Sequence, residues 1–357
     1  MHNNSNIPFV TQNIPSNFSS SYLQDGDIVM ADTAEDETVG KSTEISSLSS
    51  NDRVLAGLHT IPLSPKQKFG SGFLGFYLNS NSYHDKLRPL MQGIKVTSIS
   101  KKNLKNTILQ FPKELEEQKR IGKLFIKLNR TITLHEEQHR QLEQLKKALL
   151  QKMFANETGY PALRFKGFTE KWEQHKLGEI TDVRDGTHDS PHYVDEGYPL
   201  ITSKNVSNGR INYDAVNYVS EYDFNQINKR SKVNINDILM GMIGTIGNLA
   251  LIREDPNFAI KNVALIKYTE SINHQFLFQN LQTSYISKEL SNSMDGGTQK
   301  FISLKKIRNL SIKFPILNEQ FEIGQLFQSL DRTITLHDKK IQYLKQLKRG
   351  LLQKMFV

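Results

Sequence analysis

A repeat inside the chain limits what this sequence can fold into more than any other feature. Residues 115–155 and 317–357 align without a gap, and 24 of the 41 aligned positions are identical. Both copies contain RTITLH, and both end in LLQKMF followed by one further residue. The similarity extends upstream, where residues 99–112 match residues 302–315. The chain is therefore expected to consist of two copies of one unit, each a globular domain followed by a long segment.

The repeated long segment has the spacing of a coiled-coil helix. An apolar residue or a histidine recurs every seventh position at Ile121, Leu128, His135, Leu142 and Leu149, and again at Ile323, Leu330, His337, Leu344 and Leu351. Leucines three residues further on are expected to complete the seam, at Leu124, Leu145, Leu326 and Leu347. Phe125, Ile132 and Met153 widen the stripe on its other side.

The order of the parts predicts how the two helices pair. A 41-residue helix is roughly 60 Å long, and its apolar stripe needs a partner. The two similar helices are each other's best candidates. Because the second helix starts at the second domain, the pair is expected to be antiparallel, with a pseudo-two-fold axis relating the two domains.

The composition narrows the class of protein. The net charge of +9 is concentrated in residues 101–155, with 13 basic and 6 acidic groups, and in residues 300–357, with 12 and 4, which leaves −6 for the rest. Such basic segments attract DNA, although two solvated helix faces explain the same charge. The absence of cysteine fits a reducing cytoplasm. No run of about 18 apolar residues is present to cross a membrane.

The globular unit is clearest in residues 156–303. Short apolar runs bounded by turn residues predict strands, at Tyr198–Thr202, Asp237–Met242, Ala250–Ile252 and Val263–Ile266. A helical stretch at His274–Ser291 follows them. This pattern indicates a mixed α/β domain rich in β-structure.

Several motifs occur in a fixed order in the second copy. RFKGFTEKWEQHKLGEI at residues 164–180 is followed by RDGTHDSPHYVDEGYPLITSKNVSNGRI at 184–211 and DILMGMIGTIGN at 237–248. GGTQKFISLKKI at 296–307 and FPILNEQFEIGQLFQSLDRTITL at 314–336 complete the series. In this order they resemble the target-recognition domain and following helix of a type I restriction–modification specificity (S) subunit.

The resemblance implies an organisation and a set of partners. Residues 1–112 and 156–315 would be target-recognition domains, and residues 113–155 and 316–357 would be spacer helices. Each domain would read half of a split DNA target. The helices would hold two methylation subunits, which use S-adenosylmethionine, and the assembly would include restriction/translocase subunits, which use ATP and Mg²⁺. The chain itself would bind no cofactor and no membrane, and would work in the cytoplasm.

Candidate DNA contacts lie in the loops of these motifs. Polar or glycine-rich turns are expected to reach base edges or phosphates at Asp185, Gly186, Thr187, His188, Ser203, Lys204, Asn205, Gly244, Thr245, Gly247, Asn248, Thr298, Gln299 and Lys300. The glycines at 244 and 247 would expose backbone N–H groups to a phosphate. Ordinary structural turns are the alternative for each of these positions.

The sequence favours a role without catalysis. It contains no G-x-x-x-x-G-K-[ST] phosphate loop and no Asn-Pro-Pro-aromatic motif. The HDSPH segment around His188 lacks a second cluster that would complete a metal site, so no metal is expected. The alternative from another class is a coiled-coil scaffold that holds two binding modules without reading DNA. A third option, a stand-alone nuclease, has no carboxylate–lysine cluster to support it.

The first copy departs from the family pattern. Aligned on Asp27 and Asp237, it lacks counterparts of Trp172 and of the DGTHDSPHY turn. The first target-recognition domain is therefore expected to be shortened at its N-terminus and to leave a sheet edge unpaired. Such a chain would read one half-site well and the other poorly. Self-association of two copies would instead give a palindromic target.

Overall fold

The computed structural model describes residues 21–35, 38–93, 95–297 and 300–356. The chain divides into two compact units. The first is Met1–His139 with Leu336–Val357, and the second is Arg140–Thr335. No helix in the described residues is both long enough and apolar enough to cross a membrane.

The first unit is built around a small antiparallel sheet. Its strands are β1 (Ile28–Ala31), β2 (Thr33–Ala34), β3 (Ser42–Glu44), β4 (Thr60–Leu63) and β5 (Thr97–Ser98). Its helices are α1 (Phe73–Tyr77), α2 (Asn81–Leu87), α3 (Lys101–Lys105) and the start of α4 (Leu115–Met153), with a 3-10 turn at Arg88–Leu90. The sheet order is β3-β1-β4, and β2 pairs with β5. Alternation along β1 buries Ile28 and Met30 in the core.

The second unit has more strands. They are β6 (Glu173–Lys176), β7 (Val183–Asp185), β8 (Tyr193–Val194), β9 (Tyr198–Ile201), β10 (Val206–Ser207), β11 (Arg210–Ile211), β12 (Asn217–Val219), β13 (Ile238–Gly241), β14 (Leu249–Leu251), β15 (Ala259–Ile260), β16 (Val263–Ile266) and β17 (Ser311–Phe314). The helices are α5 (Leu177–Ile180), α6 (Glu221–Ser231), α7 (His274–Asn280), α8 (Ser284–Ser293), α9 (Leu304–Arg308) and α10 (Leu317–Met355). A 3-10 turn occupies Ser203–Asn205.

Two four-stranded sheets form the core of the second unit. One is antiparallel in the order β14-β13-β16-β7, and the other is mixed in the order β15-β9-β12-β8, where β15 and β9 are parallel. In sequence, β13, β14 and β16 correspond to β1, β3 and β4 of the first unit. Among the described residues of the first unit β4 pairs only with β1, while the corresponding β16 also pairs with β7.

The sequence located the strands well but misplaced one helix. Each of the four apolar runs overlaps a strand, although β14 begins and ends one residue before the run Ala250–Ile252. The stretch His274–Ser291 is instead two helices, because α7 ends at Asn280 and Thr283 caps the start of α8 by accepting from the N–H of Ile286. The helix α6 was not predicted at all, since its residues are mostly polar.

The long helices end in aromatic side chains that enter the cores. Phe154, just after α4, lies 5.3 Å from the ring of Phe276 in the second unit. Phe356, just after α10, lies 5.6 Å from Phe73 and from Phe125 in the first unit. Both phenylalanines are buried. The shared LLQKMF ending is therefore explained by packing, since a buried Phe contributes about 3–5 kcal/mol.

A buried glutamine fixes the start of each long helix to its globular domain. Gln118 accepts from the N–H of Gly70 at 3.0 Å and donates to a proline carbonyl at 2.7 Å. Gln320 repeats both bonds, accepting from Asn273 at 2.9 Å and donating to the equivalent proline. Each amide is thus satisfied at both ends, which is what a buried polar group requires.

Of the two residue series predicted for the seam, one is buried or half-buried and the other is mostly exposed. The series Ile121, Leu128, Leu142, Leu149, Ile323, Leu330, Leu344 and Leu351 is buried or half-buried. Of the leucines assigned three residues on, three are exposed, at Leu124, Leu145 and Leu347. The second buried series lies four residues on, at Phe125, Ile132, Met153, Phe327 and Ile341. The prediction failed because each helix carries a further apolar stripe beside its seam, so spacing alone did not identify the packed side.

Candidate nucleic-acid interface

Several of the predicted loops of the second unit meet at one edge, which we call the recognition edge. It comprises residues 185–192, 203–205, 242–248, 261–262 and 300–301, together with Arg230, which contacts Asp185. Ser203 joins three of these segments. Its Oγ donates to the carbonyl of Asn262 at 2.8 Å and accepts from the N–H groups of Met242 and Ile243 at 3.1 and 3.3 Å.

The loop after β7 is held against the turn between β15 and β16. Thr187 donates its N–H to the carbonyl of Ile260 at 3.0 Å, and Asn262 donates to the carbonyl of Thr187 at 3.2 Å. Gly186 is required here because an added Cβ would stand 2.3 Å from the Ile260 carbonyl oxygen. Asn262 has a φ of 54°, a left-handed conformation that asparagine tolerates. The backbone therefore presents the next residue, His188, at the surface.

The glycine-bearing loop does not present free N–H groups to a phosphate, contrary to expectation. Gly244 donates to the carbonyl of Lys300, Gly247 to Gly241, and Asn248 to Thr245. The N–H of Thr245 donates to Ile243, and its hydroxyl donates to the carbonyl of Ser203 at 2.6 Å. The loop closes on itself as a turn between β13 and β14, so these donors are already used within the protein.

Three predicted contact residues have buried side chains. Ser203 links loops as described, and Asn205 accepts from the N–H of Thr202 and donates to the carbonyl of Asn212. Asp185 accepts from His188 and from Arg230. These residues shape the edge, and their own polar groups are occupied. We therefore no longer expect these three side chains to contact DNA directly.

Three of the remaining candidates have exposed side chains. His188, Lys204 and Lys300 point their side chains away from the core at the recognition edge, and Thr187 is half-buried. Thr298 and Gln299 lie outside the described residues. Sequence reasoning missed two participants, Arg230 and Asn262, because they contact Asp185 and His188 from 45 and 74 residues further along the chain. No local pattern signals such a contact.

The described residues hold no group of three histidine, aspartate or glutamate side chains suited to a metal ion. In the HDSPH segment, the two nitrogens of His188 face Asn262 and Asp185 at 2.8 and 2.9 Å. The exposed basic side chains of this edge are His188, Lys204, Arg230 and Lys300. Cationic side chains around a polar loop are the composition that contacts nucleic-acid phosphates.

Removing the hydroxyl of Ser203 is expected to loosen the recognition edge. Ser203→Ala deletes one donor and leaves two buried N–H groups without their acceptor, a loss of about 1–3 kcal/mol. Thermal unfolding monitored by circular dichroism measures the change. Ser190→Ala, in the exposed part of the neighbouring loop, is the matched control and should leave the transition unmoved. Equal transitions in both variants would show that Ser203 does not hold the loops together.

Comparison with known proteins gives the family. The chain matches the type I restriction modification DNA specificity domain over residues 2–144 and 169–346. It belongs to this family. The two matched stretches fall on the two copies of the repeat.

Curated relatives agree with this family. The MjaVIII specificity subunit of Methanocaldococcus jannaschii is 25% identical over 280 residues, covering 74% of this chain and 65% of that subunit. The EcoBI specificity subunit of Escherichia coli is 26% identical over 307 residues, covering 79% of this chain and 64% of that subunit. The chain therefore spans slightly less than two thirds of the length of these relatives.

Solved structures share the fold. The crystal structure of a type I restriction-modification S subunit from M. genitalium has a TM-score of 0.65 at 17% identity and covers 95% of this chain and 85% of that one. A second structure, concerned with complex assembly and conformational transition of the type I R-M system, has a TM-score of 0.53 at 18% identity, with coverage of 94% and 82%. The specificity-domain fold is thus present along nearly the whole chain.

Proposed function

We propose that this chain selects the DNA sequence on which a type I restriction–modification enzyme acts. The observation that carries the proposal is the recognition edge of the second unit. Loops that are distant in sequence are tied together there by internal hydrogen bonds, and they leave His188, Lys204 and Lys300 exposed. A rigid, cationic edge of this kind suits the grooves and phosphates of a duplex.

We further propose that α4 and α10 pair as an antiparallel coiled coil. Within the first unit, His135 Nδ1 lies 3.2 Å from His337 Nδ1, and Glu136 pairs with Lys345 at 2.6 Å. Within the second unit, Lys146 pairs with Asp331 at 2.7 Å. Going from Glu136 to Lys146 along α4, the partner on α10 changes from Lys345 to Asp331, so the residue numbers fall on one helix as they rise on the other. That order supports an antiparallel arrangement.

The second apolar stripe of the helices supports a docking role. Leu134 and its repeat partner Leu336 are 53% and 56% exposed, and Leu145 and Leu347 are 48% and 39% exposed. Leucine at the same exposed positions of both helices suggests two equivalent contacts rather than chance. We propose that two methylation subunits bind there, one at each copy, and that restriction/translocase subunits complete the assembly.

We assign no catalytic role to this chain by itself. S-adenosylmethionine would be held by the methylation subunits, and ATP with Mg²⁺ by the restriction/translocase subunits. The chain would act in the cytoplasm, which its lack of cysteine fits. Its contribution would be target selection and scaffolding.

Co-expression with the cognate methylation subunit tests the assembly. Native mass spectrometry should give two methylation subunits per chain, and the complex should prefer one duplex sequence over others. Leu145→Asp combined with Leu347→Asp should leave the isolated chain folded but reduce the number of bound subunits. Gln342→Asp, an exposed change on α10, is the control and should bind as wild type.

Two results would separate the alternatives. A complex that forms but binds all duplexes equally would favour a coiled-coil scaffold that does not read DNA. Cleavage or methylation of DNA by the isolated chain, retained after removal of contaminating enzymes, would overturn the non-catalytic assignment.

A further inference from the structure

One carboxylate at the recognition edge holds two exposed cations. Asp185, the last residue of β7, is 10% exposed in its side chain. Its Oδ2 lies 2.9 Å from His188 Nε2, and its Oδ1 accepts from the guanidinium of Arg230. The side chains of His188 and Arg230 are 60% and 69% exposed. A nearly buried anion therefore fixes two cations that face the solvent.

The imidazole of His188 is held from both sides. Its Nδ1 lies 2.8 Å from Asn262 Oδ1, while Nε2 faces the Asp185 carboxylate. Both partners are acceptors, so both ring nitrogens must carry a proton to satisfy them. Only the imidazolium does so. In keeping with this, hydrogen bonding to Asn262 and to Asp185 raises the pKa of His188, against the opposing effects of burial and Arg230.

The local charges leave one positive charge in excess. His188 and Arg230 carry two cations against the single carboxylate of Asp185. Among the neighbours, Arg184 of β7 pairs with Asp182, and Lys261 of the β15–β16 turn donates to Ser190 Oγ at 2.7 Å. The remaining anion in the same loop is the exposed Asp189.

The position of Arg230 reinforces this excess. It occupies the last turn of α6, where the helix dipole favours a cation. Its long side chain reaches back to β7 without being covered. The two cations are thus anchored on separate elements, α6 and the loop after β7, and share one buried counter-ion.

We propose that His188 and Arg230 together bind a backbone phosphate of double-stranded DNA, and that the pair is complete only while His188 is protonated. This rests on the proposed function of the recognition edge. A phosphodiester fits because it offers acceptor oxygens to two preoriented donors and neutralises the excess charge. DNA binding then gains one ionic contact below the pKa of His188 and loses it as the pH rises through that pKa.

The salt dependence of DNA affinity measures this contact directly. Each phosphate contact contributes about 0.9 to the slope of log Kd against log salt concentration. The full chain, purified with its methylation subunits, is titrated with a duplex bearing its target and with a duplex lacking it. The titrations are done at about pH 6 and about pH 8.5, on either side of the histidine range. For the wild-type chain, this slope should be smaller by about 0.9 at the higher pH, on both duplexes.

The variants identify the group responsible. His188→Gln should show the wild-type high-pH slope at both pH values, and so should Arg230→Gln, because the loss of either cation leaves the pair incomplete. His175→Gln, on β6 and outside the recognition edge, is the control and should keep the wild-type response. The exposure of His188 and Arg230 means that unfolding transitions should move little, and circular dichroism checks this.

Three results would overturn the proposal. Two of them are a wild-type slope that does not change with pH and a His188→Gln variant that keeps the full pH response. The third is a loss of affinity for the target duplex alone, with an unchanged slope of log Kd against log salt concentration, which would indicate a base contact in place of a phosphate contact. If wild type prefers neither duplex but its slope still changes with pH, the proposed target selection fails while the phosphate contact stands.

Discussion

Leu344→Asp is expected to destabilise the first unit by about 4 kcal/mol or more and to prevent assembly with partners. Leu344 is buried in a cluster with Leu128 and Ile132, and Leu351 packs against that cluster. The substitution removes an apolar side chain and places a carboxylate among apolar neighbours, where no cation is available within the cluster. Thermal and denaturant unfolding of the purified chain measure the loss.

Leu347→Asp separates this effect from a general intolerance to charge in α10. Leu347 lies three residues from Leu344 and is 39% exposed. Its replacement should change the free energy of unfolding by less than about 1 kcal/mol, as surface changes usually do. Comparable losses in the two variants would show that the packed seam has been assigned to the wrong side of the helix.

Arg164→Met is expected to cost about 3–5 kcal/mol because it leaves a buried carboxylate without its partner. Glu319, in the first turn of α10, has no solvent exposure in its side chain, and Arg164 is 14% exposed. The guanidinium donates from Nε and from a terminal nitrogen to the two carboxylate oxygens, both at 2.7 Å. This bidentate pair fixes the segment after α4 to the start of α10.

The repeat supplies a matched control for this pair. Glu117 is the counterpart of Glu319 in the first long helix, and it is exposed. Glu117→Gln should leave the stability unchanged. The double variant Arg164→Met with Glu319→Leu should recover most of the loss, because replacing both ions by apolar groups is often nearly neutral. A single Arg164→Met variant as stable as wild type would mean that the ion pair contributes little.

Local pattern was sufficient for the two long helices and for several of the strands. The repeat and its seven-residue spacing predicted two long helices, which the structure gives as Leu115–Met153 and Leu317–Met355. The run Val263–Ile266 is a strand with those bounds. These elements are determined by residues that lie close together in sequence, so periodicity and turn residues report them.

Contacts between residues that are distant in sequence determine the features that local pattern did not predict. Spacing did not reveal whether Leu124 or Phe125 is buried, since both belong to apolar stripes. Only the structure shows Phe125 buried and Leu124 41% exposed. The polar loops were found correctly, but Ser203 proved to be a structural link because its partners lie 39 to 59 residues away.

The recognition edge remains a prediction at the level of individual contacts with DNA. Its exposed cations are His188, Lys204, Arg230 and Lys300, and its buried polar residues shape the loops that present them. Changes at the exposed positions should alter DNA binding with little effect on folding. Changes at Ser203 should affect both, which distinguishes the two classes of residue.

A genome-wide map of methylated adenines tests the central claim most directly. Cells carrying the gene for this chain and that of its methylation partner should methylate one defined sequence motif, and cells carrying the methylation gene alone should not. Replacing Lys204 and Lys300 together by alanine should reduce or change methylation at that motif while the complex still assembles. An identical map with the chain present, altered or absent would contradict the conclusion that this chain selects the DNA target.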